Sequence, residues 1–153
     1  VMTYALQVEE RGVRIEVIDN ASSTTVLGDR THLANALSNL VDNAIKYSRE
    51  QPAISVITSM QADRHGARTL RIAVRDQGIG IAREDMRHIF ERFFRAHTGN
   101  VHDVKGFGLG LHYAEAVVKA HDGTITVDSA PGQGSTFTIH LPLADGPLPT
   151  NTA

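Results

Sequence analysis

Two short glycine loops, Asp76-Gln77-Gly78-Ile79-Gly80-Ile81 and Gly106-Phe107-Gly108-Leu109-Gly110-Leu111, constrain this chain more than any other feature. Glycine at alternate positions reaches backbone conformations closed to other residues and lets bare backbone approach a ligand. One Gly-x-Gly alone is weak evidence. Here the first loop opens with a carboxylate. The second runs into an amphipathic segment whose helical N-terminus would present amides to phosphate. Together they fit a nucleotide gripped from two sides.

The segments around the loops read as a mixture of strand and helix. Residues 3–11 are a short helix end stopped by Gly12, residues 13–18 alternate as a half-buried strand, and 24–27 read as a second strand. Asp29 stands at an N-cap and opens a long helix to about Tyr47, which Gln51-Pro52 breaks. Residues 54–60 and 70–74 are strands joined by the polar turn Asp63-Arg64-His65-Gly66, and 83–94 read as helix. Residues 95–107 are polar and glycine-containing, which suggests a mobile segment. A helix over 109–121 ends at Gly123, read as a left-handed cap. The last strands, 124–128 and 135–141, flank the turn Pro131-Gly132-Gln133-Gly134. There are no strict βαβ repeats. The pattern predicts an α+β, two-layer sandwich with helices on one face of a mixed, mostly antiparallel sheet. Residues 1–143 are expected to form the domain and 144–153 a disordered tail.

The 153 residues are 41% hydrophobic, enough for one core. A formal charge of −2 argues against nucleic-acid binding through a global positive field. Without cysteine there is no disulfide framework. No apolar run approaches the roughly 18–20 residues of a membrane span.

The helix over 31–47 has two faces. Leu33, Leu37, Leu40, Val41 and Ala44 cluster on one side, and Asn35, Asn39, Asn43 and Lys46 on the other. A solvated face would more readily use Glu, Lys or Ala, because Asn is a poor helix former. The asparagine stripe therefore points to a functional role. Amide oxygens can ligate a hard cation such as Mg²⁺, and a lysine one turn on can meet phosphate. Asp76 is either a turn carboxylate or an acceptor for an amino group on a base edge. Phe90, Phe93 and Phe94 read as core, while Arg92, Arg95 and Lys105 could close over a polyphosphate. Neither glycine loop has dinucleotide-fingerprint or P-loop spacing. A nucleophile elbow and a His-Glu-x-x-His zinc pair are also missing.

These residues resemble a known family. Asn39-Leu40-Val41-Asp42-Asn43-Ala44-Ile45-Lys46-Tyr47-Ser48 is similar to the N box of sensor histidine kinases. The two glycine loops resemble their G1 and G2 boxes, and Phe90-Glu91-Arg92-Phe93-Phe94-Arg95 resembles the F box. Gly132-Gln133-Gly134-Ser135-Thr136-Phe137 matches the closing glycine motif. The order and spacing agree along nearly all of residues 10–142. The wider superfamily includes DNA gyrase, heat-shock chaperone and mismatch-repair ATPases, and the F box points to the kinase branch.

The resemblance implies a Bergerat-type ATP-binding fold and transfer of the ATP γ-phosphoryl group to a histidine on a separate dimerisation and phosphoacceptor domain. By that analogy Asn43 would coordinate Mg²⁺, Lys46 and Tyr47 would line the nucleotide, and Asp76 would bind the adenine amino group. Asn39 and Arg92 would act at the reacting phosphate. Gly78, Gly80, Ile81, Arg95, Lys105, Gly106, Phe107, Gly108, Leu109, Gly110, Leu111 and Thr136 would complete the nucleotide contacts. A lid would run from about Arg95 to Gly106 and hinge at Gly108 and Gly110. Phosphoryl transfer rests mainly on positioning and charge neutralisation, which fits this inventory.

Two departures stand out. Phe107 replaces a small Thr found in many relatives. Asn39 replaces the water-activating glutamate of the ATPase relatives; an amide cannot take that proton, which disfavours rapid hydrolysis. Asp42 is an alternative base that lies to one side of the stripe. No histidine here stands in the family's phosphoacceptor context, so the acceptor, the dimerisation helices, any sensor and any membrane anchor are expected before residue 1. The domain itself would be cytoplasmic, and a response regulator would be the downstream partner.

Overall fold

The computed structural model describes residues 12–21, 25–95 and 108–144. Along the chain come β1 (Arg14–Asp19), α1 (Arg30–Lys46), β2 (Ala53–Ala62), β3 (Arg68–Asp76), α2 (Gly110–Ala120), β4 (Thr124–Ser129) and β5 (Ser135–Pro142). The strands line up in the order β1-β2-β3-β5-β4. Only β1–β2 is parallel; the other three pairings are antiparallel. α1 packs on β2 and β3, α2 on β4 and β5, and the two helices on each other. The architecture is the mixed α+β sandwich expected from the pattern.

Local chemistry explains each element. Asp29 caps α1 as its side chain accepts from the His32 amide at 2.9 Å, which satisfies one of the donors a helix start leaves unpaired. Strand alternation puts Ile54 and Val56 of β2, Val74 of β3 and Phe137, Ile139 and Leu141 of β5 into one core with Leu40, Val41, Ala44, Ala114 and Val118 of the helices. Leu33 and Leu37 are only partly buried against it, whereas Ala36 and Ile45 are buried as well. At the far end of the helix pair, His121 accepts from the Asp29 amide at 3.0 Å, and His32 bonds to Tyr113 at 3.1 Å.

Three local expectations are corrected. Residues 25–27 form no strand; Thr25 gives its carbonyl to the amide of Ala144, outside the sheet. Residues 83–94 are not a helix but a chain of tight turns, mostly closed by bonds to the third residue back, such as His88 to Asp85, Glu91 to His88 and Phe94 to Glu91. Their helical spacing misled because the less exposed residues of successive turns, Asp85 with Met86 and Ile89 with Phe90, recur four apart. The residue in left-handed conformation after α2 is Asp122 (φ 58), not Gly123. Asp122 donates to the Lys119 carbonyl and Gly123 to that of Val118, the paired bonds of a Schellman end. Gly123 is required by crowding: a Cβ there would lie 2.4 Å from the His140 carbonyl oxygen. The expected helix at 3–11, the expected lid from about Arg95 to Gly106 apart from Arg95 itself, and the expected tail 144–153 apart from Ala144 lie outside the described residues.

Candidate nucleotide-binding site

α1 is the spine of the site. Its C-cap residue, Tyr47, offers its carbonyl oxygen to the amide of Ile79 at 3.2 Å, which seats the first glycine loop on the end of the helix. Two turns earlier, the Asn39 side-chain oxygen lies 3.2 Å from where a Cβ on Gly110 would be, so the second loop reaches the same helix. Asn39, Asn43 and Tyr47 are spaced i, i+4, i+8 and therefore share one stripe. At 1.5 Å rise per residue the stripe spans about 12 Å, with Asn43 midway between the two loops. Asn39, Asn43 and Tyr47 are half-buried; Asn35 and Lys46 are exposed.

The first loop is fixed by its own carboxylate. Asp76 ends β3 and is 6% exposed; its Oδ1 accepts from the Gly78 amide at 2.8 Å. Burial pushes its carboxyl above the usual range, against the pull of the Gly78 and Ser135 amides. A Cβ on Gly78 would lie 2.2 Å from the Tyr47 carbonyl oxygen, so only a bare backbone fits between strand end and helix. Farther along, Ile79 takes a bond from the Gly132 amide at 2.8 Å, and Ile81 donates to the Ser129 hydroxyl at 2.9 Å.

Sequence reasoning missed that hydroxyl network. Ser129 and Ser135 are a cross-strand pair with their oxygens 2.8 Å apart, and Ser129 also donates to the Gly134 carbonyl. Ser135 is the register partner of Asp76, whereas Thr136 pairs with Arg75. Successive side chains alternate across a sheet, so Ser135 shares the face of Asp76 and Thr136 stands on the opposite one. The signal was in the sequence: Ser135 precedes the core residue Phe137 by two positions.

The second loop enters α2 with its helix start open. Leu109 occupies the N-cap without a side-chain bond, and the first turn carries no acidic residue. Among the described residues no side chain caps its first amides, the arrangement by which helix starts receive anions. Gly108 (φ 71) presses on the F-box segment: its carbonyl accepts from the Phe93 amide at 3.0 Å, and a Cβ would meet the Phe93 carbonyl carbon at 2.8 Å. Arg92 lies within the last of those turns and Arg95 just after it, and both are exposed. Phe90 and Phe94 pack on the core as expected, with Phe90 edge-on to Phe137 at 6.3 Å, but Phe93 is 65% exposed. Leu109 is exposed too, while Ile81 and Leu111 pack partly against the core. Asp42 is half-buried; burial raises its carboxyl, opposed by attraction to Lys46. Lys105, Gly106 and Phe107 lie outside the described residues.

Residues 28–145 match the family model described as histidine kinase-, DNA gyrase B-, and HSP90-like ATPase. The chain belongs to this family. Within it, the relatives are sensor kinases. The chain is 49% identical over 124 residues to the sensor-like histidine kinase SenX3 of Mycobacterium tuberculosis, covering 81% of the chain and 29% of that protein. It is 39% identical over 141 residues to the sensor protein RprX of Bacteroides fragilis, covering 92% and 27%. Among solved structures, the mycobacterial sensor histidine kinase MprB superposes with TM-score 0.74 at 30% identity, covering 93% of this chain and 90% of that one. ShkA, solved in complex with AMPPNP, gives TM-score 0.76 at 28% identity over 94% of this chain and 28% of its own. The chain is thus an ATP-binding catalytic domain of the sensor histidine kinase type, and it spans less than a third of the length of these curated relatives. No helix among the described residues is long and apolar enough to cross a membrane.

Proposed function

We propose that this domain binds Mg·ATP along the α1 stripe and passes the γ-phosphoryl group to a histidine on a separate phosphoacceptor domain. The observation that supports it best is the bridging of both glycine loops by one helix face, at Tyr47 and at Asn39. Adenine sits at the Asp76 end, where the carboxylate accepts from the base amino group and Gly78 leaves room for a flat ring. The triphosphate runs toward Gly110, where the uncapped amides of α2 face it. Lys46 and Arg92 supply positive charge along that path, and Ser135 takes the role expected of Thr136 beside the base.

A divalent ion fits the donor set. Asn43 and Asn39 offer neutral amide oxygens, and the described residues hold no cluster of three His, Cys, Asp or Glu. Mg²⁺ commonly keeps waters and phosphate oxygens in its shell and takes few protein ligands, so Asn43 suffices as the protein's anchor. Bound there, the ion would neutralise phosphate charge. The protein's part is then to orient the nucleotide, and Asn39 in place of a water-activating carboxylate protects it from hydrolysis.

In this reading the phosphoacceptor histidine and any membrane attachment would lie outside this domain, and a response regulator would be the downstream partner. Incubation of the chain with labelled ATP, Mg²⁺ and a sensor-kinase acceptor domain tests the reading. Acid-labile phosphate on the acceptor histidine is expected. Nucleotide binding with steady release of free phosphate and no phosphohistidine would instead identify an ATPase.

A further inference from the structure

We infer that His112 is a positioning residue that straps the F-box segment to the second glycine loop and so fixes where Arg92 presents its charge; this rests on the kinase reading above. His112 lies in the first turn of α2, two residues after Gly110, and is half-buried. Its Nδ1 is 3.1 Å from the Phe90 carbonyl oxygen. A carbonyl only accepts, so Nδ1 carries the proton and the ring donates.

The segment it holds needs holding. Residues 83–94 lack the continuous bonding of a helix. Phe93 is in left-handed backbone (φ 63) although its ring is mostly exposed, so its own packing does not repay the strain. A bulky residue in that region is strained and persists where the surroundings over-determine it. Two bonds do so here: the Phe93 amide to the Gly108 carbonyl, and His112 to Phe90. They bracket Arg92 on both sides. Both also originate in the loop and helix start that face the phosphates, so the register of Arg92 is set by the same backbone that receives the nucleotide. The His88–Glu91 side-chain hydrogen bond, at 2.7 Å, braces the turn from within but does not tie it to α2.

The test uses His112→Ala and His112→Asn. Asparagine places an amide N–H at the same number of bonds from the backbone as Nδ1–H, so it can restore the strap without the ring. In the unliganded chain, amide exchange at Phe93 should quicken in His112→Ala by roughly 10-fold or more and return toward wild type in His112→Asn. In the full-length kinase, His112→Ala should lower kcat for phosphotransfer by roughly 10- to 100-fold with KM for Mg·ATP within about 2-fold, because misplacement of a positioned group costs rate more than binding. His112→Asn should recover most of that loss. Unchanged Phe93 exchange in His112→Ala, or an Asn variant no better than Ala, overturns the strap. A kcat loss matched by a rise in KM overturns the positioning role. If the wild-type chain fails to bind Mg·ATP at all, the kinase reading falls and the functional role of His112 with it, while the exchange data still judge the strap.

Discussion

The Ile79 amide donates to the Tyr47 carbonyl at 3.2 Å, and this single bond registers the first glycine loop against the last turn of α1. Gly78 makes the approach possible. A Cβ there would stand 2.2 Å from the same oxygen, backbone against backbone, with no flexible group to yield. Gly78→Ala should therefore cost about 1–3 kcal/mol in chemical denaturation and remove Mg·ATP binding in calorimetry. Gly66→Ala is the control. Its φ is 83 with nothing within 4 Å, so it should cost about 1–2 kcal/mol of local strain and leave nucleotide affinity unchanged.

Asp76 should separate stability from affinity. Burial raises its carboxyl above the ordinary range, so the folded chain holds that proton to higher pH than the unfolded chain does. Its contribution to stability is then fully present below the unfolded value, near pH 4, and is lost as pH rises through the folded value. Asp76→Asn carries no buried charge. At neutral pH the unliganded variant should be at least as stable as wild type, and that advantage should disappear below about pH 4. Affinity for Mg·ATP should move the other way. If the amide oxygen keeps Gly78, the NH₂ meets the base's own amino group, and a lost charged hydrogen bond corresponds to roughly 10- to 100-fold. A variant that is less stable at pH 7 with unchanged affinity would contradict this assignment.

Gly110 tests the other end of the stripe. It opens α2 without positive φ, so alanine is compatible with its backbone, and its Cβ would approach Asn39 Oδ1 at 3.2 Å. Gly110→Ala should leave thermal stability within about 1 kcal/mol of wild type, since helix propensity favours the change. By displacing Asn39 a few tenths of an ångström it should weaken Mg·ATP binding by roughly 3- to 10-fold, about 0.7–1.4 kcal/mol.

Much of this was readable in the sequence, for identifiable reasons. α1 announced itself through its apolar period and through Asp29, which caps it as expected, and the Asn stripe follows from geometry once the helix is granted. The strands flanking the Gly132–Gly134 turn were equally plain, because alternation of Val127, Phe137 and Ile139 leaves one face apolar. Segment 83–94 was not legible: inward residues at helical spacing are also produced by successive tight turns, and only the hydrogen-bond partners distinguish them. Asp122 took the left-handed place assigned to Gly123 because the glycine was spent on the close passage of His140. Thr136 was the residue expected from the closing motif, which by itself carries no register. The pairing of Ser135 with Asp76 supplies it.

Asn43 lies between the two loops, and the central claim is that nucleotide and divalent ion meet there. Calorimetric titration of the chain with ATP, with and without Mg²⁺, on wild type and Asn43→Ala, tests this most directly. Saturable one-to-one binding that Mg²⁺ strengthens in wild type, and a Mg²⁺ effect abolished in Asn43→Ala, is the expected result. Absence of saturable binding in wild type, or an undiminished Mg²⁺ effect in Asn43→Ala, would contradict it.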